Sequence, residues 1–106
     1  MARLGVTIEL DRPRTMRYGI NALIRVEESL GAKITSLDLE HLGITELIKI
    51  VHAGLAEDDP TLTIAKLGDL IDEYSSIEAV AKAMGEAIEE AFGPKPGAPR
   101  GIAAAQ

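Results

Sequence analysis

The side chains able to do chemistry in this 106-residue chain are scattered. His41 and His52 stand eleven positions apart with no cysteine in the chain. A zinc site needs three or four converging ligands, and helical pairs sit three or four residues apart, so His52 reads as a boundary residue of an apolar helix face. Glu57, Asp58 and Asp59 form the densest acidic run. A calcium loop of the EF-hand type requires glycine at its sixth position. Counting from Asp58 or Asp59 places Thr63 or Ile64 there, so the run reads as a turn, with Pro60 blocking helix continuation. Asp69, Asp72 and Glu73 read as a solvated helix face. The GPKPG near the end lacks the spacing of a phosphate loop, and no nucleophile elbow or Ser-His-Asp arrangement is suggested. Carboxylate pairs are plentiful but fall on polar helix faces, where nothing raises a pKa for acid catalysis. The expectation is a protein without enzymatic activity, metal or cofactor.

Composition points the same way. Hydrophobic residues make up 46%, and Tyr18, Tyr74 and Phe92 are the aromatic residues, so the core must be aliphatic. Such a core suits close helix packing better than a stacking platform for bases. The lack of cysteine excludes disulfides and thiolate chemistry and fits a reducing cytoplasm. No apolar run has the length of a membrane span or of a secretion signal, so a cytoplasmic, membrane-independent protein is expected. The net charge of −6 is uneven: residues 1–20 carry +2 and the remainder −8. An acidic body repels a phosphate backbone, which argues against nucleic acid as a partner. The basic N-terminal segment reads as a solvated turn.

The hydropathy pattern supplies the elements. Leu4, Val6, Ile8 and Leu10 alternate with Gly5, Thr7 and Glu9, which predicts a strand. DRPR at 11–14 predicts a turn, and Met16, Tyr18 and Ile20 a second strand. A helix follows over 21–30, capped by Asn21 and closed by Gly31, with Leu23, Val26 and Leu30 on its apolar face. Residues 32–43 mix periods and read as a loop with a short helical turn. Further helices are expected over 44–56, over 64–74 behind a Thr63 cap, and over 76–92 behind a Ser75–Glu78 capping box. Gly68 and Gly85 fall inside the last two helices, where they would permit close helix approach. Residues 93–106 are rich in Pro, Gly and Ala and predict a flexible tail after a single folded domain over 1–92. The fold class expected is α+β, with an N-terminal antiparallel hairpin packed on about four helices. The last helix carries an apolar arc wider than one core contact needs. Ala83, Met84, Ala87 and Ile88 within it are the candidate partner-binding residues.

One resemblance runs through the order of short motifs. A hairpin-leading segment is followed by NAL, E and LG within 21–31, then AGL at 53–55, EDDPTLT at 57–63 and LGDLID at 67–72. This order resembles the tail assembly chaperones of long-tailed phages and gene transfer agents. The matching positions are Asn21, Ala22, Leu23, Glu27, Gly31, Ala53, Gly54, Leu55 and Thr63. They are chiefly structural positions. The resemblance implies a cytoplasmic protein that binds the tape measure protein, a long, aggregation-prone helical chain. Tail tube protein then polymerises around that client, and the chaperone is absent from the finished particle. Many such proteins are also made in a longer, frameshifted form, and the C-terminal tail would suit that junction. A small tail component retained in the particle and a helical DNA-binding regulator are the competing readings. The hairpin edges and the apolar arc also suit assembly into a homo-oligomer.

Overall fold

Alternation in the N-terminal segment produces two short strands, β1 (Val6–Glu9) and β2 (Pro13–Met16), paired antiparallel with Val6 opposite Met16 and Ile8 opposite Arg14. This computed structural model describes residues 5–38 and 40–92. Four helices follow: α1 (Ile20–Leu30), α2 (Ile44–Leu55), α3 (Ile64–Tyr74) and α4 (Ile77–Phe92), with a 3-10 turn at Ile34–Ser36 before α2. The architecture is the α+β arrangement of a hairpin on a helical body. The tail expected over 93–106, together with Leu4 and Leu39, lies outside the described residues.

The hairpin turn is shifted from its expected place. Leu10, Asp11 and Arg12 form the bend, and Pro13 and Arg14 already belong to β2. Proline is tolerated there because it opens the strand and its nitrogen faces away from β1. β2 ends at Met16, and Ile20 is not a strand residue: it begins α1 and is 73% exposed. The cap of α1 is accordingly Gly19 and not Asn21, and no side chain caps this end. At the other end Gly31 adopts the left-handed conformation (φ 66°), and its amide donates to the Glu27 carbonyl at 2.8 Å. A residue with a Cβ is disfavoured there.

Helix starts elsewhere follow local chemistry. Thr63 Oγ1 accepts the Lys66 amide at 3.1 Å and caps α3. For α4 the capping hydroxyl belongs to Ser76, which accepts from the Ala79 amide at 3.1 Å; Ser75 instead ends α3. Glu46 reaches back to accept the Gly43 amide at 2.9 Å at the start of α2. Glu27 acts over a longer range, where its carboxylate accepts the Ile34 amide at 2.8 Å and ties the 3-10 turn to α1.

α2 is the centre of the packing, touching α1, α3, α4 and β2. Leu47, Ile50, Val51, Ala53, Gly54 and Leu55 are all buried along it. Met16, Ile50, Leu55, Leu67, Val26 and Val80 are wholly enclosed. Each such aliphatic side chain contributes about 1.5–3 kcal/mol by leaving water. Ile44, Ile64 and Tyr74 are 60%, 44% and 51% exposed because they sit at helix ends.

Candidate interaction surfaces

The candidate binding residues of α4 are core residues. Ala83, Met84, Ala87 and Ile88 are buried beneath the hairpin and against α2. The wide arc read from the sequence serves two neighbours at once, since α4 packs on both β1 and α2. Met84, Ala87 and Ile88 are closed to a client while the domain is folded, and Ala83 shows only an edge, in the wall of a groove. Gly68 and Gly85 also differ from expectation: a Cβ added at either meets nothing within 4 Å.

The close approach occurs at Gly54 instead. A Cβ there would lie 2.6 Å from Tyr18 Cζ and 2.8 Å from Met16 Cγ. The missing side chain lets the hairpin settle on α2, where Tyr18 donates its hydroxyl to the Ile50 carbonyl at 2.7 Å. Burial pushes the Tyr18 phenol well above its usual range. The Arg17 amide donates to the Gly54 carbonyl at 2.9 Å, so the end of β2 is stitched to α2. Ala53, Gly54 and Leu55 are therefore structural residues, as are Ala22, which is buried in α1, and Leu23, half-buried on the same helix.

A charged latch closes the same seam. Strand alternation places Arg14 on the core side of the hairpin with Ile8 and Met16, and it is only 4% exposed. A buried guanidinium must be paired. Asp11 takes it in bidentate fashion at 3.0 and 3.2 Å, and Asp59 accepts a third bond at 3.0 Å. Arg12 bonds Asp58 at 3.4 Å, and Arg17 bonds Glu57 at 2.9 Å. The Thr61 hydroxyl, then Arg14, hold the Asp59 carboxyl down at about 2. The hydrogen bond from Arg14 is the main cause lowering Asp11. The basic hairpin, read from the sequence as a solvated turn, is thus neutralised by the acidic run at 57–59. The two opposite charge clusters were visible in the sequence; their meeting was not.

Among the described residues, two of the open surfaces bear on partner binding. On α1, Ile20 (73% exposed) and Ile24 (47% exposed) stand one helical turn apart and form an apolar ridge. The second is a groove of about 390 Å³ between β1 and α4. All four residues of β1 line it, and alternate residues of a strand point to opposite faces. The groove therefore runs along the strand's edge and not across one face. Ala79, Lys82, Ala83 and Glu86 form the opposite wall, and Tyr74 closes one end. Another depression, of about 560 Å³, lies beside Arg17, Arg25, Glu57 and Asp58, where Arg17 is already bonded to Glu57.

His52 donates from Nε2 to the Leu62 carbonyl at 2.6 Å and fastens the α2–α3 connection. His41 pairs with Asp38 at 2.8 Å on the surface. Among the described residues, no three His, Asp or Glu side chains gather as a metal ion would require. Among the described residues no helix is long and apolar enough to cross a membrane. No protein-family model, curated protein or solved structure matches the chain.

Proposed function

We propose that this chain is a tail assembly chaperone of the phage type, which binds the tape measure protein during tail morphogenesis and keeps it soluble without catalysis. The observation that carries the reading is the exposed Ile20–Ile24 ridge, because it lies on the helix where the family resemblance begins. Apolar residues at i and i+4 match the spacing by which one helix reads another. The acidic body, at −8 beyond residue 20, would keep a loaded complex soluble. The ridge replaces Ala83, Met84, Ala87 and Ile88 as the proposed client surface; charging those residues would test the core.

The experiment is co-expression with a candidate tape measure protein, a long, helical, aggregation-prone chain. The intact chain should carry that client into the soluble fraction. The double variant Ile20→Glu, Ile24→Glu should keep its circular dichroism and lose at least half of the solubilised client. A client equally soluble with the double variant would reject the ridge. A client equally insoluble with and without the intact chain would reject the function. Mass spectrometry of purified tails is the complementary measurement, because a chaperone leaves the particle and a structural component stays.

A further inference from the structure

The two outer edges of the hairpin are treated differently. Two backbone bonds reveal which groups face outward. Leu10 donates to the Arg12 carbonyl across the hairpin, so even-numbered residues of β1 direct their amides inward. Arg17 donates away from β1, to Gly54, so odd-numbered residues of β2 face outward. In an antiparallel pair this alternation is strict. The outer edge of β2 is protected twice: Pro13 has no amide to offer, and the Arg17 amide is tied to α2. On β1 the outward positions are Thr7 and Glu9. Among the described residues neither amide nor carbonyl of this pair has a partner outside the hairpin. They open into the groove walled by α4.

We infer that this groove is filled by a second copy of the chain, with β1 pairing antiparallel to β1 across a two-fold axis near Ile8. In this register Thr7 of each copy faces Glu9 of the other, and each pair exchanges both backbone bonds. The outward parity permits it, and no Glu9 faces Glu9. The hairpin, marginal as two strands, becomes half of a continuous four-stranded sheet. The α4 wall is self-complementary under the same axis. Lys82 and Glu86 stand one turn apart on the groove-lining flank of α4. A two-fold that runs α4 antiparallel to its mate sets each Lys82 against Glu86 of the other copy. Ala79 and Ala83 beside them are small enough for the flanks to approach. The charge pattern thus selects a second copy as the occupant. The inference is independent of the chaperone reading, since the Ile20–Ile24 ridge lies on another helix.

Sedimentation velocity over a wide concentration range tests it. The intact chain should sediment as a dimer. Thr7→Pro removes only an outward amide, leaves the inward ladder of Val6 and Ile8 in place, and should weaken dimerisation by about tenfold or more. Lys82→Glu alone and Glu86→Lys alone should each weaken it, and the double exchange Lys82→Glu, Glu86→Lys should restore it. This rescue decides the matter even if Thr7→Pro unfolds the hairpin. A strict monomer at high concentration, a dimer indifferent to Thr7→Pro, or a double exchange no better than its single parents would overturn the inference.

Discussion

Two helical glycines sit in opposite surroundings. Gly54 is enclosed by Met16 and Tyr18, whereas Gly85 has nothing within reach of an added Cβ. The seam between hairpin and α2 is closely packed: it joins aliphatic packing, the Tyr18–Ile50 bond and the arginine latch. Around Gly85 on α4 no such close packing is present. Glycine at 54 is a geometric requirement, while glycine at 85 costs helix stability with no packing return inside one copy.

The sharpest way to break this contrast is Gly54→Ala. The new methyl would overlap Tyr18 and Met16, so the hairpin must lift from α2. The expected loss is about 2–3 kcal/mol, read as a fall of roughly 10 °C or more in Tm. An unchanged Tm would mean the seam is not tightly packed. Next is Arg14→Ala, which strands Asp11 and Asp59. Both carboxylates keep some contact with water (34% and 21% exposed), so the loss should be about 2 kcal/mol in denaturant unfolding. Arg14→Lys should recover less than half, because an ammonium cannot form the bidentate fork.

In the opposite direction, Gly68→Ala and Gly85→Ala should each stabilise the monomer by about 0.5–1 kcal/mol. Destabilisation at either site would show that its surroundings are tighter than the open space found there. The smallest effect concerns acid. The Asp59 carboxyl is held at about 2, below its ordinary 3.8. A lowered carboxylate contributes stability that is complete above about pH 4 and is lost as the pH falls toward 2. Asp59→Asn should flatten that part of the unfolding midpoint against pH, and a profile of unchanged slope would remove the latch as its cause.

The legible part of the fold was the part with local causes. Helix existence followed apolar spacing, and Thr63 and Gly31 were readable because a cap satisfies its own helix end. Ser75 and Asn21 were misplaced by one or two positions, since neighbouring residues can compete for the same cap. The apolar arc of α4 is wide because the hairpin and α2 share it, and only its Ala79–Ala83 flank reaches the groove. Periodicity tells how much of a helix is apolar and is silent on how many neighbours share it. The candidate surfaces needed the structure for the same reason: Ile20 looked like the end of a strand until β2 stopped at Met16.

By itself the sequence determined the α+β class, the order of elements and the acidic character of the body, because these rest on residue type and spacing along the chain. Tertiary structure alone decided that Gly54 is the point of closest approach, that Arg14 and Asp59 meet across 45 residues, and that the edge of β1 opens beside α4. Those outcomes depend on distances between segments remote in the chain, which no local pattern encodes.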